Sequence, residues 1–170
     1  MILYNDVITL KTMIRNVALP FLLGASALLG FAIPIKAGPQ IPPSFIPLVQ
    51  ALRQAGYQFR FETPPIAGAY GATDSLKKIV WVAPISVDMG IARQTLIHEA
   101  VHAAQACPTG RYELIGWSIT LPNSVDRSIE GILYRSYSHK RFPVEREAFF
   151  MQSHPNAVPM IIAALKERCK

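Results

Sequence analysis

Near the middle of the chain, two histidines four residues apart bracket a glutamate: His98-Glu99-Ala100-Val101-His102. On a helix, residues four apart share a face, so both imidazoles can reach one point in space while Glu99 stands beside it. The surrounding residues favour a helix, because Ile91, Thr95, Leu96, Ala100, Val101 and Ala104 recur at three- and four-residue spacing. This pattern constrains the fold. A helix that turns imidazoles inward needs an apolar back wall and a second element to bring further polar groups to the histidines.

The segment 17–35 is equally distinctive, with 19 residues and no charge, preceded by Lys11 and Arg15 and followed by Lys36. At 1.5 Å per residue such a helix approaches the ~30 Å hydrocarbon thickness of a bilayer. Pro20, Gly24, Gly30 and Pro34 suit the hydrophobic region of a cleaved signal, with a cut near Ala37, as well as a membrane anchor through residues 17–35. Residues 1–37 are therefore read as signal peptide or anchor, and 38–170 as one domain. That domain is expected outside the cytoplasm, either periplasmic, extracellular or anchored and facing outward. Two cysteines, Cys107 and Cys169, permit one disulfide there and no four-cysteine metal site. The 17 Lys and Arg against 11 Asp and Glu give +6, but the charges are scattered, which argues against a nucleic-acid groove.

Along the domain, residues 38–45 form a proline-rich junction, with Ser44 placed to cap a helix over 46–55. Residues 57–62 alternate like a half-buried strand, 63–74 read as a turn-rich connection, and 77–83 as a second strand. A helix follows Pro84, with Asp88 as a plausible cap, and ends near Cys107. Residues 109–123 read as a loop with a short extended piece around Trp117. Three further helices are expected at 125–137, at 144–152 behind Pro143, and at 156–168.

Two histidines do not complete a metal site. His139, His154, Glu113, Glu130, Glu145 and Glu147 have suitable chemistry, and the segment 143–150, PVEREAFF, seats two of the glutamates on a helix start. Glu145 and Glu147 are about 200° apart around that helix, so only one can face the histidines. Gln105, three residues beyond His102, can hydrogen-bond near the site or finish the helix end.

HEAVHAAQ followed by EREAF resembles the gluzincin-type zinc metallopeptidases, and is similar to small exported cyanobacterial HExxH domains. The resemblance covers about residues 76–155. It implies a compact α+β zincin-like domain, a zinc ion on His98, His102 and Glu145, and Glu99 as general base acting on a peptide or protein substrate. Glu145 is favoured over Glu147 because the family's ligand glutamate stands three residues before a small alanine, here Ala148. The Asp or Asn usual after that alanine is Phe149, so the orienting contact it would give is missing or supplied elsewhere. For an oxyanion stabiliser, Tyr112, Tyr134, Tyr137 and His139 are the polar candidates, with Tyr137 and His139 placed first because they immediately precede the ligand helix. The strand at 77–83 is expected to present a sheet edge to an extended substrate. A non-catalytic zinc-binding or interaction domain, and an amide hydrolase acting on a cell-wall linkage, are the alternatives.

Overall fold

Six helices and one three-stranded sheet make an α+β fold in the computed structural model, which describes residues 40–117, 120–136 and 138–170. The segment 17–35, with its signal or anchor reading, and Tyr137 lie outside the described residues. Among the described residues no helix is long and apolar enough to cross a membrane.

A 3-10 turn, Pro43–Phe45, leads into α1, Ile46–Gln54. Ser44 lies within that turn and caps nothing; Phe45 occupies the N-cap, and Pro47 in the first turn needs no amide partner. Leu48, Val49, Ala51 and Leu52 form the buried stripe of α1. After Gly56, where φ is +84°, the chain enters β1, Gln58–Arg60.

The connection after β1 is not all turn, since Gly71–Asp74 forms β2 and Ile79–Val82 forms β3. The sheet order is β1-β3-β2, with β3 parallel to β1 and antiparallel to β2. This corrects the sequence reading on a point that matters for function. The strand at 77–83 is central and paired on both sides, so the edges belong to β1 and β2, and of these two β2 is the edge that packs against α3.

A one-turn helix, α2 (Ile85–Asp88), precedes the long α3, Ala92–Ala106. Asp88 ends α2 and does not cap α3, whose N-cap is Ile91 without a side-chain bond. Among the described residues between α3 and α4 (Asn123–Ser136) there is no strand, and Trp117, around which a short extended piece is expected, lies in none; residues 118 and 119 are outside the described residues. A 3-10 turn, His139–Arg141, leads into α5, Phe142–Gln152, and α6 spans Ala157–Arg168.

Helix α3 is the axis of the domain, packed against α5, α6, β2 and β3. Twelve of its fifteen residues are buried, so its polar side chains are inside as well as its apolar ones. Leu96, Ile97 and Val101 join Val80 and Val82 of β3, Leu52 of α1, Met151 of α5 and Ile161 and Leu165 of α6 in one core. Each such side chain contributes about 1.5–3 kcal/mol by leaving water. Ala100, Ala103 and Ala104 are fully buried and let neighbouring elements approach closely.

The C-terminal carbonyls of α3 have no partners within the helix and are satisfied from elsewhere in the fold. Tyr57 Oη donates to Ala103 O at 3.0 Å, Arg168 Nε to Ala104 O at 3.0 Å, and the amides of Glu113 and Gly110 to Gln105 O and Ala106 O. Burial, with a smaller push from Tyr112, raises the Tyr57 hydroxyl to about 12, so it remains a donor at ordinary pH. The Cys107–Cys169 disulfide ties the same end of α3 to the end of α6 across 62 residues. In the chain-entropy view a loop of that length contributes about 4 kcal/mol.

Candidate metal centre

His98 and His102 project from one face of α3, as their spacing requires, and α5 brings Glu145 against them. His102 Nε2 lies 3.1 Å from His98 Nε2 and 3.1 Å from Glu145 Oε2, and His98 Nε2 lies 3.3 Å from the same oxygen. These three buried side chains could hold a metal ion. Burial alone would raise the Glu145 carboxyl, but hydrogen bonds from and charge on His102 and His98 override it and bring it down to about 2. Burial likewise opposes a proton on His102; the hydrogen bond to Glu145 and the charges of Glu99 and Glu145 outweigh it and raise its pKa.

Each member is held from behind. His102 Nδ1 lies 2.7 Å from Gln105 Oε1, an acceptor, and so carries a proton there; in the neutral imidazole this leaves Nε2 with its lone pair toward the centre. Gln105 Nε2 in turn donates to Val144 O and to Glu147 Oε2 at 2.8 Å. Glu147 faces away from the histidines and accepts the amides of Ile115, Gly116 and Trp117. The two glutamates thus divide the work: Glu145 meets the histidines, and Glu147 anchors Gln105 and the loop after α3. On the other imidazole, His98 Nδ1 faces the Gln152 amide at 2.9 Å, a contact that one or other amide orientation satisfies for either proton placement. Phe149, where an orienting Asp or Asn was expected, sets its ring against His98 at 4.7 Å between centroids, and Gln152 supplies the polar contact.

The outer oxygen of Glu145 is met by Arg141, whose Nη2 lies 3.0 Å from Oε1. Arg141 stands four residues before Glu145, one turn upstream, and its guanidinium covers the Tyr112 ring at 5.2 Å. Tyr112 packs edge-on against His102 and donates its hydroxyl to Thr73 O at 2.9 Å. Burial raises the Tyr112 pKa, which preserves that donor.

Glu99 points to the sheet. Its Oε2 lies 2.8 Å from Thr73 Oγ1 on β2, and its backbone carbonyl 3.0 Å from the same hydroxyl. Gly71 is required opposite it: a Cβ there would stand 2.6 Å from Thr95 Cγ2 and 2.8 Å from Glu99 Cγ and Oε1. A cavity of about 260 Å³ opens over His98, Glu99, His102 and Glu145, flanked by Tyr112 and Arg141.

His139, placed beside this opening by sequence reasoning, is exposed; its ring stacks on Phe142 and meets Tyr134 edge-on, and it does not line the cavity. The short turn carrying it sets that ring against Tyr134 and Phe142 and brings Arg141 to Glu145 instead. Tyr134 is likewise on the outside, 67% exposed. Arg141, Thr73 and Gln152 are polar groups that sequence reasoning missed. The four-residue step back from Glu145 signals the first, whereas nothing in the sequence pattern marks the second. Among the described residues, no buried side-chain nitrogen or oxygen lacks a hydrogen-bond partner.

Compared with known protein families, curated proteins and solved structures, the chain finds no match in any of the three.

Proposed function

We propose that this protein is a zinc-dependent hydrolase that cleaves peptide bonds, with a zincin-like domain and with His98, His102 and Glu145 as the metal ligands. The observation that carries the reading is the spacing of three donor atoms. Ligands bound at about 2.0–2.1 Å in a tetrahedron stand about 3.3 Å from one another, and the three separations here are 3.1, 3.1 and 3.3 Å. Two imidazoles and a carboxylate suit zinc by donor type, and three protein ligands are the number found at catalytic zinc sites. A purely structural site would have no use for Glu99 in the same cavity.

Zinc held there supplies a Lewis acid that polarises a carbonyl oxygen and makes a water more acidic. Glu99 takes a proton from the attacking water and hands it to the departing nitrogen. Thr73 fixes one oxygen of that carboxylate, leaving the other, Oε1, for the proton. Gln105 keeps the Nδ1 proton of His102 turned away from the cavity. Among the described residues, Arg141 and Tyr112, rather than His139, are polar side chains beside the opening that can meet negative charge as it develops.

The substrate backbone is assigned to the free edge of β2. The Ala83 amide donates to Tyr70 O, so alternation along the antiparallel pair turns Ala72 and Asp74 toward β3 and turns Gly71 and Thr73 outward. The outward amides and the Gly71 carbonyl offer an extended peptide its main-chain partners. Export is part of the same proposal, and the Cys107–Cys169 disulfide suits an oxidising compartment.

Glu99→Gln tests the reading. The variant should keep its zinc and lose about a hundred-fold or more of its peptide-cleaving rate. Unchanged cleavage in that variant would contradict the role given to Glu99.

A further inference from the structure

Cavities continue along β2 on both sides of His98 and Glu99. Toward Phe149 and Gln152 there is one of about 260 Å³, sharing Ala69, Gly71, His98 and Glu99 with the central cavity. In the other direction the central cavity shares Ala72, Thr73 and Tyr112 with a pocket of about 600 Å³ on the face of the sheet turned away from α3. The floor of this pocket is Ala72 and its partner in register Trp81, with Ile79 beside them and Ile66 and Leu76 as walls.

From these features we infer that the outer-face pocket is a specificity site, which takes one large, uncharged apolar side chain from a polypeptide that runs through the cleft and beyond it at both ends. The inference rests on the hydrolase reading above and deepens it: the protein is an endopeptidase with a side-chain preference set on the far face of the sheet.

Two arguments carry it. The first is strand geometry. Side chains of an extended chain paired with β2 alternate between the two faces of the sheet, as Thr73 and Ala72 do, so every second one is directed at the pocket. The second is charge. Arg60 at the rim is paired with Glu62 at 3.4 Å, Lys77 with Asp74 at 3.5 Å, and Arg141 with Glu145 at 3.0 Å. Turn amides of Leu76 and Lys77 also hold the Asp74 carboxylate, and the Lys77 amide is the main reason its pKa is lowered. Among the described residues, each cation lining the pocket already has a carboxylate beside it, and Asp74 has a cation; Arg141, Glu99 and Glu145 serve the reacting centre. A chain terminus, ammonium or carboxylate, finds no unpaired partner among these residues, and an ionic side chain finds none among those that line the pocket. An apolar side chain gains burial against Trp81 and Ile79.

The test uses the full chain loaded with zinc and a series of octapeptides, acetylated and amidated at their ends, that differ only in whether one position is Phe, Leu, Ser, Asp or Lys. Cleavage products are located by mass spectrometry, and binding to Glu99→Gln is measured by calorimetry. Phe and Leu peptides should exceed the others by about ten- to a hundred-fold in kcat/KM, and in the same order in affinity for the Glu99→Gln protein. Blocked and free-ended peptides should be cleaved at similar rates. Ile66→Arg, a substitution at a side chain 58% exposed, should reduce the Phe-to-Ser ratio to under about three-fold with zinc content and melting temperature unchanged. Cleavage that requires a free terminus, or a Phe-to-Ser ratio that Ile66→Arg leaves intact, would overturn the specificity site while leaving the hydrolase. Zinc-loaded protein that cleaves no peptide of the series and binds none would overturn both.

Discussion

The floor and the rim of the cleft are built on different principles. On the floor, where α3 meets α5, His98, His102, Gln105, Glu145 and Glu147 are all less than 9% exposed and bonded to one another or to backbone. On the rim, Thr73 and Tyr112 are part-exposed, Arg141 is exposed, and Ile66 and Leu76 stand in solvent. Polar groups taken from water cost several kcal/mol unless each is paired, so the floor tolerates no loose member and holds one geometry. The rim pays no such penalty and is free to adapt. A fixed floor suits a metal, and an open rim suits a variable chain.

This contrast can be broken from below or from above, and the effects should differ in kind. The largest change in stability is expected from Cys107→Ser together with Cys169→Ser, which frees the end of α3 from α6. Guanidinium unfolding should record a loss of about 4 kcal/mol. A loss below about 1 kcal/mol would mean that packing alone fixes this end. Next is Glu147→Gln, which removes the charge that gathers Gln105 and three loop amides. Metal affinity, followed by competition with a chelator, should fall about ten- to a hundred-fold although Glu147 touches no metal. Thr73→Val acts on the rim: zinc titration should be unchanged while kcat falls about ten-fold, since the hydroxyl meets Glu99, at its carboxylate and its backbone carbonyl, and none of the three ligands. Smallest is Leu76→Ser, at a side chain 84% exposed, with thermal stability expected within about 0.5 kcal/mol of the native chain.

The sequence made the floor far more legible than the rim. The periodicity around His98 and His102 requires α3, and the 145–148 spacing of Glu and Ala singles out Glu145 through a resemblance, because helical contacts repeat at fixed intervals. Gln105 was visible for the same reason. β2 was hidden: Gly71-Ala72-Thr73-Asp74 is composed of residues common in turns, and its strand state comes from pairing with β3 and lying on α3. With β2 hidden, the sheet edge was assigned to the wrong strand. The caps expected at Ser44 and Asp88 failed for a related reason, since a 3-10 turn before α1 and the short α2 before α3 take over the chain at those points. His139 was placed by its nearness in sequence to Glu145, whereas the turn it occupies directs its ring onto Phe142.

The central claim is that the three buried side chains on the floor are a zinc site, and elemental analysis of the purified full chain, native and Glu145→Ala, tests it most directly. About one zinc per chain in the native protein and less than about a tenth of that in Glu145→Ala is the result predicted here. Native protein that takes up no zinc after reconstitution, or Glu145→Ala that retains a full equivalent, would contradict it.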